Sequence, residues 1–235
     1  GDVYKRQAEI KANYRDIRDR CRNSVNGFPF EISGRLASDV GDEERRAIYD
    51  ELWEKGGVRF VAESFADITI DEFANETASN YIRDKISEMV KDQDVAKLLM
   101  PFDHPYATKR PPIDTDYYET YNRDNVSLVD VRSAPIVEIT HKGVKTEDNE
   151  YELDAIVFAT GFDAMTGSLL KMNIKGVGGM RLEEAWEAGP RTYLGLQIAG
   201  FPNLFTITGP GSPSVLTNMP VAIEQHVDWV TDCIK

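Results

Sequence analysis

Apolar residues recur at helical spacing through the first hundred residues of the chain. The first predicted helix carries four of them on one face: Ile10, Tyr14, Ile17 and Cys21. It ends before Gly27, and because residues 1–7 fit its pattern poorly, we expect them to be foreign to the protein. Three further helices are predicted: residues 42–55, a helix from Asp71, and a short one from Asp94 to before Pro101.

The pattern changes after Pro101, where a proline-rich connection leads into strand signals. The predicted strands cover residues 126–131, 136–140, 150–160 and 204–208. Two of them contain apolar runs typical of buried strands, residues 154–161 and 204–208. A last helix follows the second run, with Pro220 in its first turn. A helical block thus precedes part of a sheet and the pattern stops within a helix, so we expect a fragment of a larger α/β enzyme.

Composition narrows the classes of function. Of 235 residues, 41% are hydrophobic and 29% charged, which is ordinary for a globular protein. The net charge of −13 disfavours nucleic-acid binding, which depends on Lys and Arg at phosphates. No apolar run approaches a membrane span. Two distant cysteines and three scattered histidines predict no metal site and a cytoplasmic setting.

The segment from residue 204 to residue 229 is the first candidate site. It predicts a strand, a glycine–proline turn and a helix, and helix N-termini at such strand ends bind anions and cofactors. The turn is a poor dinucleotide fingerprint, because Ser214 stands at its third position and its prolines lack N–H groups. Contact with a bound ring or substrate is better supported, and a tight turn without a ligand is the alternative.

Two shorter stretches are also candidates. Lys109 and Arg110 are adjacent cations between prolines, which suits an anion, although a solvated basic pair is the alternative. Thr160 and Gly161 end a predicted strand, where glycine permits close approach of a ligand. His226 is expected on the surface or in the core of the last helix rather than in catalysis.

Several long stretches, taken together, resemble one enzyme family. They read ATKRP (residues 107–111), DYYETYNRDNV (116–126), DAIVFATGFD (154–163), TGPGSPSVLTNM (208–219) and EQHVDW (224–229). In this order they resemble the flavin-dependent Baeyer–Villiger monooxygenases of the phenylacetone and cyclohexanone monooxygenase type. The resemblance covers about residues 8–235 and is strongest from Lys109 onward.

The resemblance implies an α/β fold, part of a flavoprotein with two Rossmann-like dinucleotide-binding domains and a helical insertion. Residues 1–105 would be the insertion into the NADP domain, residues 106–160 its return to that domain, and residues 161–235 part of the FAD domain. The family uses NADPH, FAD and oxygen to convert ketones to esters or lactones through a flavin peroxide.

The resemblance also implies roles for particular residues. Arg110 matches the active-site arginine that stabilises the peroxyflavin anion and the tetrahedral adduct, so it would contact both the cofactor and the substrate. Lys109 matches the residue that contacts the NADP 2′-phosphate. Met219 matches a position beside the flavin, with Thr160 and Gly161 also at the cofactor. The loop that shapes the substrate pocket matches four residues: Ser214, Val215, Leu216 and Thr217.

Some family features are missing from the sequence. Neither glycine fingerprint, nor the motif Phe-x-Gly-x-x-x-His-x-x-x-Trp, nor the acidic partner of the arginine is found. We therefore expect the chain by itself to be inactive and to hold FAD poorly. The alternatives are a flavin monooxygenase that hydroxylates nitrogen or sulfur, and a truncated non-catalytic chain.

Overall fold

The computed structural model describes residues 2–212 and 217–235, and the chain divides into two compact units. One unit is Ile32–Phe158, and the other joins the residues up to Glu31 with Ala159–Lys235. The predicted helical insertion, residues 1–105, is therefore divided between the two units. Which segment belongs to which dinucleotide-binding domain stays a prediction.

The unit Ile32–Phe158 begins with a helical block. Its helices are α3 (Asp42–Lys55), α4 (Arg59–Glu63), α5 (Glu72–Met89), α6 (Gln93–Leu99) and α7 (Tyr117–Thr120), with a 3₁₀ turn at Ala37–Asp39. The Asp71 side chain accepts a hydrogen bond from the Ala74 N–H at 2.9 Å and so caps α5. Gly56, at φ 66°, ends α3. The three helices predicted in this region are confirmed.

Aromatic rings fill the core of this helical block. Tyr49 of α3 stacks on Phe60 of α4, with ring centroids 4.9 Å apart, and meets Phe65 edge-on at 5.5 Å. Tyr81 of α5 lies 5.2 Å from the Tyr49 ring and donates a hydrogen bond from its hydroxyl to Asp50. Such pairs add directional contacts to the burial of apolar area, so the rings fix how α3, α4 and α5 pack.

The same unit ends in a small antiparallel sheet in the order β1-β2-β3. Its strands are β1 (Ile136–Ile139), β2 (Gly143–Thr146) and β3 (Glu150–Glu152). A Cβ atom at Gly143 would lie 2.0 Å from the Tyr151 carbonyl oxygen, so only glycine permits this pairing. The strand predicted at residues 136–140 is confirmed.

Three strand predictions are corrected. Residues 126–131 form no strand. Of the strand predicted at residues 150–160, only β3 (Glu150–Glu152) forms, and Val157 and Phe158 of its apolar run are 88% and 70% exposed rather than buried. Residues 204–208 contain only an isolated antiparallel bridge between Phe205 and Gln197. A strand needs a neighbour for its backbone groups, and the described residues place no parallel neighbour beside these runs.

The regular elements described in the other unit are helices. Its helices are α1 (Asp2–Ala12), α2 (Tyr14–Asn23), α8 (Gly167–Lys171), α9 (Leu182–Ala185) and α10 (Met219–Ile234), with a 3₁₀ turn at Val177–Gly179. Residues 2–7, which fit the apolar pattern of the first predicted helix poorly, form part of α1. A small hydrophobic core forms around α9 and contains Leu182, Trp186, Ile198 and Phe201.

Helix α10 contributes a buried histidine to this unit. His226 is 3% exposed, and its Nδ1 accepts a hydrogen bond from the Thr208 N–H at 3.0 Å. The acceptor must be the neutral ring nitrogen, and burial lowers the pKa of His226. The expectation of a surface or core role agrees with this burial.

The chain is thus a mixed helix and sheet structure, whose described sheet is antiparallel. The Rossmann-like assignment stays a prediction. In the part of the chain that the structure describes, none of the helices combines the length and the apolar character needed to cross a membrane.

Replacing Ile68 by Ala tests the core of the helical block, because Ile68 is 2% exposed there. We expect a loss of about 2–5 kcal/mol in the free energy of unfolding, measured by urea denaturation. Ile70→Ala is the matched control, since Ile70 is 85% exposed, and its effect should stay within about 0.5 kcal/mol. Equal losses of unfolding free energy in the two variants would contradict the assignment of Ile68 to the core.

Replacing His226 by Asn tests the buried neutral histidine. In the wild type the unfolded chain takes up a proton near pH 6.5, while the folded state does so only at lower pH. The stability contribution is therefore full above about pH 6.5 and falls as the pH drops toward the folded-state pKa. Between about pH 7.5 and 5.5 the wild type should lose more unfolding free energy than His226→Asn. Parallel pH profiles would refute the assignment.

Candidate functional site

The predicted cations Lys109 and Arg110 are both exposed. The Lys109 side chain is 69% exposed, and its Nζ lies 3.9 Å from Oδ2 of Asp103. Both residues belong to the unit Ile32–Phe158, in the connection between α6 and α7. An anion from solvent can therefore reach this segment.

Asn75 of α5 ties this connection to the helical block. Its side-chain amide donates to the Tyr106 carbonyl at 3.0 Å and to the Ile68 carbonyl at 2.8 Å. Its side-chain oxygen accepts from the Tyr106 N–H at 3.0 Å. One side chain thus satisfies both backbone groups of Tyr106, and this fixes the chain three residues before Lys109.

The Tyr106 ring adds an apolar anchor at the same point. It meets the Phe60 ring edge-on at 5.6 Å, and burial raises the pKa of its hydroxyl. A tight turn follows, in which the N–H and hydroxyl of Thr108 both donate to the Pro105 carbonyl. Ala107 takes the left-handed conformation, φ 63°, inside this turn. The backbone that leads into Lys109 is therefore fixed twice, by the contacts of Tyr106 and by the turn that ends at Thr108.

The Asp103 carboxylate organises the polar side chains of this segment. It lies 2.6 Å from Nδ1 of His104, and it accepts a hydrogen bond from Nη2 of Arg132 at 3.0 Å. The hydrogen bonds from His104 and then Arg132 hold the pKa of the Asp103 carboxyl well below its usual range. Asp103 is therefore ionised at neutral pH.

Thr160 and Gly161 lie in the other unit, on an exposed segment. Gly161 has φ 85°, and no atom of the described residues lies within 4 Å of a Cβ atom built on it. Phe162 beside it is fully exposed. Further along, Asp163 pairs with Lys171 of α8 at 2.8 Å. Among the described residues, the backbone at Thr160 and Gly161 is thus accessible to a ligand.

The glycine–proline turn is braced against an earlier loop of the same unit. Gly195 lies so close to the turn that a Cβ atom there would be 2.6 Å from the Ser212 Cβ. The Gly195 carbonyl accepts from the Thr206 hydroxyl at 2.7 Å, and the Thr192 hydroxyl donates to the Pro210 carbonyl at 2.6 Å. These contacts fix the backbone that leads into the predicted substrate loop.

The start of α10 is held by the segment after α2. The Asn218 N–H donates to the Asn26 carbonyl at 3.0 Å, and its side-chain amide donates to the Gly27 carbonyl at 2.9 Å. Thr217 and Met219, on either side, are partly buried. Of the predicted substrate loop, Ser214, Val215 and Leu216 lie outside the described residues.

A cavity of about 500 Å³ also opens in this unit. Its lining consists of Val177, Tyr193, Gln197, Ile198, Ala199, Gly200 and Pro202. The predicted site residues do not contribute to this lining. Over residues 2–212 and 217–235, no group of three His, Cys, Asp or Glu side chains could hold a metal ion.

The predicted site residues fall into two sets. Lys109 and Arg110 are neighbours in one unit, whereas Thr160, Gly161, Thr217 and Met219 belong to the other. Sequence reasoning missed the supporting residues Asn75, Asp103 and Arg132. Asp103 and His104 precede the basic pair in the same stretch, which was an available signal, while nothing in the pattern distinguishes Asn75 within its helix.

Known proteins resemble the chain along nearly all of its length. A Baeyer–Villiger monooxygenase of Pseudooceanicola batsensis is 44% identical over 229 residues, which are 97% of this chain and 41% of that protein. A phenazine N-monooxygenase of Lysobacter antibioticus is 47% identical over 97% of this chain and 42% of its own length. No family model matches the chain.

A solved structure agrees with these relatives. The crystal structure of OTEMO in complex with FAD and NADP superposes with a TM-score of 0.92 at 42% identity, covering 98% of this chain and 43% of that one. The chain therefore spans about two fifths of the length of the proteins it matches. Over that length, it is homologous to the Baeyer–Villiger monooxygenases, as its motifs indicate.

Proposed function

We propose that this chain forms part of an FAD- and NADPH-dependent Baeyer–Villiger monooxygenase that converts ketones to esters or lactones. The observation that carries the proposal is the 44% identity to such an enzyme across 97% of the chain. The exposed basic pair on a fixed backbone supports it, because the chemistry requires cations at defined positions.

Lys109 would bind the 2′-phosphate of NADP in this proposal. Its ammonium group is a compact charge on a flexible stem, and its 69% exposure leaves it accessible to a phosphate. The residues present therefore fit an anionic dinucleotide. A lysine in this role favours NADP over NAD, because only NADP carries the extra phosphate.

Arg110 would stabilise negative charge on oxygen as the ester forms. The attack on a ketone carbonyl places negative charge on the former carbonyl oxygen, and a guanidinium oriented in advance meets that charge without reorganisation. The tie between Asn75 and Tyr106 supports this role, since it fixes the backbone four residues before Arg110.

Thr160, Gly161 and Met219 would contact FAD. The open space around Gly161 fits the close approach of a ring or phosphate, and α10 is 16 residues long with Met219 as its first residue. The positive end of such a helix stabilises negative charge. When bound, reduced FAD supplies the activation of oxygen.

Ser214, Val215, Leu216 and Thr217 would shape the ketone pocket. The braced turn before them and the tie of Asn218 to the segment after α2 hold the two ends of this loop. We also propose that residues 1–105 are a helical insertion into a Rossmann-like NADP domain, that residues 106–160 return to that domain, that residues 161–235 are part of the FAD domain, and that the setting is cytoplasmic.

Oxygenation of a nitrogen atom is the second candidate. The specific observation in its favour is the 47% identity to a phenazine N-monooxygenase, which exceeds the identity to the ketone-oxidising relative. The two reactions share the need for FAD, NADPH and oxygen. Incubation of the full protein with cyclohexanone and with phenazine, followed by mass spectrometry, distinguishes a lactone product from an N-oxide.

Replacing Arg110 by Ala tests the catalytic proposal in the full, FAD-loaded protein that contains this chain. Ester formation should fall about 100- to 1,000-fold, because the developing charge loses its cation. The rate of NADPH oxidation should remain largely unchanged. Absorbance measures the oxidation of NADPH, and product analysis measures the ester.

Arg123→Ala is the matched control, because Arg123 is an exposed arginine of the same unit with no proposed role. It should leave ester formation within about twofold of the wild type. Ester formation by Arg110→Ala at a near-normal rate would show that the proposed role is wrong.

A further inference from the structure

The Asp103 carboxylate brings two cations of different segments together. Nη2 of Arg132 lies 3.0 Å from its Oδ2, and Nζ of Lys109 lies 3.9 Å from the same oxygen. The two nitrogens are therefore at most about 7 Å apart. A single phosphate can accept hydrogen bonds from two donors at that spacing, since each donor approaches a different oxygen.

A hydrogen-bonded turn presents Arg132 to solvent. Its N–H donates to Oδ1 of Asp130 at 3.0 Å, and the Ala134 N–H donates to the Asp130 carbonyl at 3.1 Å. Ala134 is buried, which anchors the end of the turn. The Arg132 side chain itself is 80% exposed. Its backbone is thus fixed while its guanidinium remains accessible.

The charges of this cluster favour an anion although the chain as a whole is acidic. Lys109 and Arg132 carry two positive charges, whereas Asp103 carries one negative charge. Arg110, directly after Lys109, is a third cation of this segment. The Asp130 carboxylate faces its own turn, where it accepts from the Ser133 hydroxyl and the Arg132 N–H. A guanidinium has five N–H donors, so the bond from Nη2 to Asp103 leaves donors for a second acceptor.

We propose that Arg132 is the second cation of the site that binds the NADP 2′-phosphate, and that Asp103 is the positioning residue that holds Arg132 beside Lys109. The inference rests on the proposed role of Lys109 and deepens it by naming a further specificity residue. Its ligand is a phosphate monoester on a ribose, and a guanidinium provides the planar donor pair that such a group accepts.

Binding of small phosphates to the full protein that contains this chain tests this proposal by isothermal titration calorimetry. The probes are adenosine 2′,5′-bisphosphate, 5′-AMP, which lacks the 2′-phosphate, and inorganic phosphate, which lacks the nucleoside. Arg132→Ala should weaken the binding of the bisphosphate about tenfold and should change the affinity for 5′-AMP less than about twofold. Inorganic phosphate should bind the wild type more weakly than the bisphosphate does.

Arg35→Ala is the matched control for charge. Arg35 belongs to the same unit and is about half exposed. Its Nη1 lies 4.0 Å from Oε1 of Glu44, so it pairs outside the cluster. Its replacement should change the affinity for the bisphosphate less than about twofold. Equal losses in Arg132→Ala and Arg35→Ala would show that only the overall charge matters and would overturn the proposal.

Asp103→Ala tests the positioning role by the sign of its effect. Removal of a negative charge alone would strengthen phosphate binding, whereas loss of the residue that orients Arg132 and Lys109 should weaken it about threefold. Tighter binding of the bisphosphate by Asp103→Ala would overturn the positioning role.

Lys109→Ala separates this proposal from the proposed function. If Lys109→Ala weakens the bisphosphate and Arg132→Ala does not, the inference on Arg132 is wrong while the NADP role of Lys109 stands. If the wild type binds the bisphosphate no more tightly than 5′-AMP, both proposals are wrong.

Discussion

The side-chain amide of Asn75 is the contact on which the candidate site most depends. It pairs with both backbone groups of Tyr106 and with the carbonyl of Ile68, and so joins the connection before Lys109 to helix α5. A partly buried backbone segment without such partners would lose the free energy of its unmade hydrogen bonds. The aromatic core beneath, where Phe60 meets Tyr106, gives this tie a rigid base.

Local sequence signals predicted the helices of the structure well. Helix α3 covers the predicted residues 42–55, and α5 begins directly after Asp71, whose side chain caps it. Caps, glycine stops and apolar spacing act within a few residues, so a single sequence contains them. The strands were predicted less well. Residues 154–161 are apolar enough for a buried strand, but pairing depends on a neighbour that sequence pattern does not specify.

The same distinction applies to the candidate site. Lys109 and Arg110 could be found because they are adjacent cations between prolines. The residues that support them could not, because Asn75 lies 31 residues before Tyr106, and Arg132 lies 29 residues after Asp103. Only packing of the helical block and the turn at Asp130 brings those side chains into contact. The motifs did indicate the family, to which the relatives and the solved structure also point.

The central claim is that the helical block fixes the backbone of the anion-binding segment, and amide hydrogen exchange of Tyr106 tests it most directly. The Tyr106 N–H donates to Asn75 and should exchange about 10- to 100-fold more slowly in the wild type than in Asn75→Ala, measured by NMR. Asn80→Ala, an exposed asparagine of the same helix, should leave the rate unchanged. Equal exchange at Tyr106 in the wild type and in Asn75→Ala would contradict the account.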